Sequence, residues 1–194
     1  MADASRINLT NQFLIAMPGM ADQTFAGAVV YLCEHTEKGA LGLVINKPID
    51  IKLKNLFEKV ELSLTRDDLA EAPVYFGGPV QTERGFVLHE RQSDETSPYS
   101  STLAIPGGGL DMTTSKDVLE ALSSGAGPKK ILVTLGYSGW GAGQLEDELG
   151  RNGWLTVDAQ PDVIFDTPIE QRYDRALSLL GIDPRMLSQE AGHA

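Results

Sequence analysis

Four glycines within eight residues constrain this chain more than any other feature. Residues 135–146 read Leu-Gly-Tyr-Ser-Gly-Trp-Gly-Ala-Gly-Gln-Leu-Glu, and an apolar strand at 130–137 leads into them and an amphipathic helix leads out. Glycine has no Cβ, so it accepts positive φ and lets another backbone or a ligand approach closely. The cluster therefore predicts either tight main-chain packing beside Tyr137 and Trp140 or a binding loop. Packing is the stronger expectation, because the glycine order fits no phosphate motif.

A strand, a glycine-rich turn, a helix and a strand ending in Asp158 share the general grammar of a dinucleotide fold. The spacing departs from it. Gly139, Gly141 and Gly143 alternate instead of following G-x-G-x-x-G, and no Gly-Lys-Ser/Thr follows for a P-loop. Glu146, in the first turn of the helix, also sets its own negative charge where an anion would dock.

With 194 residues the chain has the length of one domain, expected to span 1–194 with flexible ends at 1–6 and 190–194. A net charge of −11 opposes a surface for duplex nucleic acid, which needs clustered Lys and Arg. The single cysteine, Cys33, cannot form an intrachain disulfide and fits a reducing compartment. Residues 13–17 are too short for the core of a signal peptide, and the remaining apolar stretches are too short for a membrane helix. The expected location is cytoplasmic, away from membranes.

Along the chain, residues 25–34 and 41–46 form the clearest strand pair. Both are nearly continuous apolar runs, which predicts burial on both faces, and the loop of several residues between them contains Gly39 at positive φ. Leu53, Leu56, Phe57 and Val60 recur at i, i+3, i+4 and i+7, one face of a short helix. Residues 74–76 read as a strand with 85–90 as its partner, broken by Gly77-Gly78-Pro79. Residues 91–101 are polar and predict an exposed loop. Strands at 102–105 and 110–113 precede a helix over 115–124, and the helix after the glycines buries Ala142, Leu145 and Leu149. Residues 154–158 and 163–165 read as strands. Thr167-Pro168-Ile169-Glu170 reads as a capped helix start, and Asp183-Pro184 starts a last turn. Strands gather early and helices late without regular alternation, which predicts an α+β fold with a mixed, strongly bent sheet.

Several long motifs in order give the chain a resemblance to the YqgE/AlgH family of bacterial proteins. They are Phe13-Leu14-Ile15-Ala16-Met17-Pro18, the run from Gly39 to Pro48, Gly77-Gly78-Pro79-Val80, Arg84-Gly85-Phe86-Val87-Leu88-His89, residues 135–146, Trp154-Leu155 and Leu180-Gly181. The resemblance implies a forked, mixed sheet curled into a pseudo-barrel with helices packed outside. It also implies a regulatory role, by a label of transcriptional regulation tied to alginate production, with no agreed activity, catalytic set or cofactor.

Asn46, Gly77, Gly78, Arg84, Gly139, Gly141, Gly143 and Gln144 are the candidate ligand-binding residues, since they sit at strand ends or turns within those motifs. No metal is expected, because His35 and His89 belong to no close-spaced ligand motif. Cys33 and His35 lie two apart, the minimum for a thiolate pair, but an apolar strand favours a buried, inert thiol. Ser138 sits in Gly-Tyr-Ser-Gly-Trp, off the Gly-x-Ser-x-Gly elbow. The expectation is a noncatalytic protein that binds an unidentified protein or small-molecule ligand without direct nucleic-acid contact. The alternative is an enzyme or nucleotide-binding protein using a cleft beside residues 136–146.

Overall fold

A computed structural model describes residues 8–20, 22–91 and 97–181. The expected flexible ends, the turn at Asp183-Pro184 and residues 92–96 of the expected loop lie outside the described residues. The strands are β1 (Gln12–Ala16), β2 (Val29–Thr36), β3 (Gly39–Val44), β4 (Pro48–Lys52), β5 (Pro73–Phe76), β6 (Val80–Glu90), β7 (Thr102–Ile105), β8 (Leu110–Thr113), β9 (Ile131–Gly141) and β10 (Trp154–Asp158). The helices are α1 (Leu53–Lys59), α2 (Asp67–Ala70), α3 (Asp117–Ser123), α4 (Gln144–Gly150), α5 (Pro161–Phe165) and α6 (Arg172–Ser178).

Among the described residues the strands join in the order β10-β1-β2-β3-β9-β6-β8-β7, with β4 and β5 as a side branch. Every pairing is antiparallel except β5 with β9, so the sheet is mixed, and it curls strongly into a half-barrel. The fork lies on β9. Residues 131–137 of that strand pair with β6 along one edge, while the other edge is shared by β5 at Thr134 and Leu135 and by β3 from Ser138 to Gly141. Gly77 sits where β5 and β3 part: its N–H donates to the Leu135 carbonyl at 2.9 Å, and its carbonyl accepts from Val44 N–H and Ser138 Oγ, each at 3.0 Å.

Both faces of the sheet are covered, which explains the unbroken apolar runs of β1 and β2. One cluster draws Phe13, Tyr31, Leu43, Phe86 and Leu132 from both arms of the sheet, with Val163 and Ile164 of α5 and Ala176 and Leu177 of α6 packed against them. A second covers the opposite face of the first arm with Leu32, Trp140, Trp154 and Leu145 of α4. A third seats α1 through Leu53 and Phe57, and α3 through Val118 and Leu122, on Val87 and Val133. The α1 face predicted from the sequence is the one that packs.

Several local expectations are corrected. The β2–β3 loop is tighter than expected, since Thr36 pairs with Gly39 and only Glu37 and Lys38 lie between. Residues 25–28 form a turn outside β2. The partners of β5 are β4 and β9, not residues 85–90, which lie within β6. Residues 163–165 belong to α5: Pro161 presets its first turn, and three apolar residues carry too little periodicity to tell strand from helix. Thr167 does not cap a helix start, because its hydroxyl donates to the Asp162 carbonyl, and a 3-10 turn (Ile169–Gln171) precedes α6. Ala142 is exposed, not part of the buried stripe of α4. Within the expected exposed loop, Tyr99 is buried, edge-on to His89 at 5.7 Å.

Candidate functional site

The glycine stretch does not form a loop. The strand β9 continues through Gly136, which takes φ +79° at a shift of register against β6, and through Gly139 and Gly141, and it ends at Ala142-Gly143, where Gly143 takes φ +76° before α4. Gln144 closes this turn by accepting the Gly141 N–H with Oε1 at 3.0 Å. The helix then folds back over the strand, so Glu148 comes to lie beside Trp140.

Glu148 gathers the site. Its Oε1 accepts both indole N–H groups, Trp140 at 3.1 Å and Trp154 at 2.9 Å, while Oε2 accepts from Gln144 Nε2 at 3.0 Å. Trp154 arrives from β10 through its antiparallel pairing with β1, in which Ala16 faces Trp154. Phe25 completes the group from the turn before β2. Its ring lies 6.2 Å from Trp140 at an interplanar angle of 24° and 5.5 Å from Trp154 at 70°. Around these rings is a cavity of about 270 Å³, bordered also by Met20, Asp22, Gly139, Arg151 and Gly153.

The turn carrying Phe25 is held from a distance. Asn46 accepts the Val29 N–H and donates to the Gly27 carbonyl, both at 2.9 Å, and Lys47 Nζ donates to the Thr24 carbonyl at 3.0 Å. Partial burial lowers the Lys47 pKa, opposed by the Asp22 carboxylate. Asp22 itself accepts the Thr24 N–H at 2.8 Å.

Of the residues singled out from the sequence, Gly139 and Gln144 line this cavity, and Asn46 holds the turn that carries Phe25. Gly141 acts through its N–H, and Gly143 through its left-handed φ. Gly77 and Gly78 belong to the fork, packed against the Gly136 to Ser138 backbone. Arg84 lies on the exposed part of β6, reaching Gln81 and Thr114 and standing 5.8 Å from the Phe86 ring. Phe25, Trp154 and Glu148 also line the cavity, although no motif marks them as binding residues in the sequence. The available signal was that both tryptophans of the chain fall on strands flanking α4.

The side chains that motivated a catalytic reading do not assemble. Ser138 Oγ is buried and spent on the Gly77 carbonyl. Burial pushes the Cys33 thiol far above its ordinary pKa, and Cys33 packs into the inner cluster. His35 faces the other way: Nδ1 accepts the Leu9 N–H at 3.0 Å, and Nε2 lies 3.4 Å from Glu146 Oε2 without the alignment of a hydrogen bond. His89 is tied into the fold, with Nδ1–H donating to the Glu90 carbonyl, which fixes Nε2 as acceptor from Thr113 Oγ1 at 2.8 Å. Burial lowers its pKa against the opposing pull of the Glu90 carbonyl and Asp111. Among the described residues no three His, Cys, Asp or Glu side chains group to hold a metal ion. Nor does the dinucleotide grammar hold, because β10 pairs with β1 and not beside β9 in parallel.

Two other cavities carry less chemistry. A slot of about 220 Å³ between α1 and α3 over Val87, Val133 and Leu135 is mostly apolar. A depression of about 410 Å³ beside Leu41 and Tyr137 is larger, but its charged residues Glu34 and Lys38 are exposed.

A family model described as AlgH-like (DUF179) matches residues 13–185. The chain belongs to the AlgH-like family. It is 68% identical over 198 residues to a UPF0301 protein of Variovorax paradoxus, covering 100% of this chain and 99% of the relative. A UPF0301 protein of Ralstonia pickettii is 68% identical over 188 residues, covering 97% and 96%. Among solved structures, the AlgH protein of Pseudomonas aeruginosa superposes with a TM-score of 0.77 at 49% identity, covering 98% of each chain. A protein of Corynebacterium diphtheriae shares the fold with a TM-score of 0.68 at 20% identity, covering 90% of each chain. Of the AlgH-like motifs, Gly77-Gly78-Pro79-Val80 lies at the fork, and residues 139–144 and Trp154 lie at the aromatic cavity. Among the described residues of this AlgH-like chain, no helix is long and apolar enough to cross a membrane.

Proposed function

We propose that this AlgH-like protein is a noncatalytic recognition protein, cytoplasmic and regulatory in role, that receives a group from a ligand or partner in the cavity of Phe25, Trp140 and Trp154. The observation that carries the reading is the convergence of two indole N–H groups on one Glu148 oxygen beside that cavity. Concave sites lined by aromatic rings with a few fixed polar groups are the usual form of a binding pocket. Here the polar groups are locked by one another, so the rings are held in place before anything binds.

The size selects the occupant. At about 270 Å³ the cavity falls just below the roughly 300–1,000 Å³ typical of drug-sized ligands, which suits a side chain or small head group better than a dinucleotide. The net charge of −11 supports regulation through such a contact and not through duplex DNA.

Screening small fragments by ligand-observed NMR tests this. Phe25 sits on a turn and is only partly buried, so Phe25→Ala removes one wall and leaves the sheet intact. Fragments that bind the wild type are expected to weaken at least about tenfold against the variant, a loss of roughly 1.4 kcal/mol. Binding that is unchanged by Phe25→Ala would count against the cavity.

A further inference from the structure

We infer that the slot between α1 and α3 binds a free small carboxylate with an apolar tail, of the kind a short-chain fatty acid presents. It lies on another part of the sheet from the aromatic cavity, and neither site needs the other. Gly85 marks it. A glycine inside a strand weakens the strand, and three things give it a reason: a left-handed φ, a close neighbour, or room for a guest. Gly85 takes no positive φ, even though the register of β6 shifts against β9 between Val80 and Gly85. A Cβ there would meet nothing within 4 Å. The third reason remains, because the missing side chain leaves open floor in a cavity of about 220 Å³.

The walls are apolar and within reach of a guest. Leu56 and Val60 of α1 and Leu119 of α3 border the slot beside Val87 and Val133, and all three wall residues are only partly buried. A tail would take that surface out of water, and each methylene buried is worth about a fourfold gain in affinity. The volume lies below the roughly 300–1,000 Å³ of drug-sized sites, which suits a short tail and not a long acyl chain.

The mouth selects the head group. Lys116 borders the slot just past the end of β8 and, among the described residues, has no ion-pair partner. Arg84 adds positive field: its Nη2 lies 3.3 Å from the hydroxyl of Thr114, another lining residue, and its Nη1 donates to the neutral amide of Gln81. Asp117, next to Lys116 in the chain, is taken by the Ser115 hydroxyl and the Ser100 N–H. Glu83 is the one carboxylate among the lining residues and opposes an anion, so the mouth carries two cations to one acid.

Hexanoate, hexanol and hexylamine share one tail and differ in charge, so titrating each into ¹⁵N-labelled protein at low salt tests the assignment. Hexanoate is expected to shift the amides of Gly85, Val87 and Val133 and to bind about threefold tighter than hexanol, with hexylamine weakest. Butanoate, two methylenes shorter, should bind about tenfold more weakly than hexanoate. Gly85→Val fills the floor and should weaken hexanoate at least about tenfold, with an unchanged circular dichroism spectrum. Gly85→Ala should weaken it about threefold, and carries the test if the valine variant does not fold. The charge variants should move in opposite directions, Lys116→Gln weakening hexanoate about threefold and Glu83→Gln tightening it about twofold, with hexanol unchanged by either. Loosened packing would not give opposite signs.

Hexanol that binds as tightly as hexanoate, or hexylamine that binds more tightly, overturns the carboxylate. Hexanoate that ignores the Gly85 variants, or that shifts none of those amides, overturns the slot. The aromatic cavity stands or falls separately, on Phe25→Ala.

Discussion

Gly78→Ala is expected to leave no stably folded protein. A Cβ at this position would lie 2.2 Å from the Tyr137 carbonyl carbon and oxygen and 2.3 Å from the Ser138 nitrogen, all main-chain atoms that cannot swing aside. Its φ of +153° is also one that L side chains rarely adopt. Relieving such contacts means separating β9 from the turn after β5, which undoes the fork itself. The expected loss exceeds about 4 kcal/mol, a large share of the roughly 5–15 kcal/mol that holds a typical domain together. Gly85→Ala is the matched control, because a Cβ there meets nothing within 4 Å, and its stability should stay within about 0.5 kcal/mol of wild type. Soluble yield and urea unfolding followed by circular dichroism distinguish the two. A Gly78→Ala protein that unfolds at the wild-type urea concentration would show that the strands are not so close.

The second large effect is expected at Arg172, which is 6% exposed. Its Nη1 donates to the Ile45 carbonyl at 2.5 Å and to the Tyr75 hydroxyl at 3.0 Å, and Nε donates to the Thr167 carbonyl at 2.9 Å. The guanidinium carbon lies 5.2 Å from the centre of the Tyr75 ring. One side chain thus ties α6 to the end of β3 and to β5, across the inner face of the curl. Leucine would fill part of the space but leave the carbonyls without these donors, at about 1–3 kcal/mol for each that stays buried and unsatisfied. Arg172→Leu should therefore lose about 2–5 kcal/mol in urea unfolding. Lysine should recover little, because its point charge cannot span three acceptors as a planar fork does. Equal stability of wild type and Arg172→Leu would mean that α6 is held by its other contacts, Ala176 and Leu177 in the core and the Tyr173 hydroxyl on the Ala16 carbonyl.

These two sites show why the fold was only partly legible in the sequence. The stretch from Val29 to Cys33 was readable because burial on both faces writes an unbroken apolar run. The face of α1 was readable because a helix repeats its buried positions. The fate of the glycines was not. Positive φ is something glycine permits and does not demand, and Gly139 and Gly141 stay in an extended strand because β3 supplies them with pairs. The predicted crowding is real, but at Gly77, Gly78 and Gly136 and at Gly39, whose added Cβ would meet the Trp140 carbonyl oxygen at 2.2 Å. It is absent around Gly143, which has nothing within 4 Å.

The cavity followed the same pattern. Gly139 and Gln144 could be marked because they lie in one motif. Phe25 was absorbed into a predicted strand because it adjoins an apolar run, although its turn is held locally by Asp22 as well as by Asn46 and Lys47 some twenty residues away. Trp154 joins only through the β1–β10 pairing, and Glu148 meets both indoles only once α4 folds back. Such encounters depend on partners that no local window contains.

The central claim, that Phe25, Trp140, Trp154 and Glu148 form a recognition site, is tested most directly by the indole N–H resonances of Trp140 and Trp154. In a ¹H–¹⁵N spectrum both should move on titration with a fragment that binds the wild type, and both should already be displaced in Glu148→Gln, while the backbone amides of Gly77, Gly78 and Gly136 stay still. Indole signals that hold their positions while resonances of Val80 and Tyr137 shift would place binding elsewhere and contradict the account.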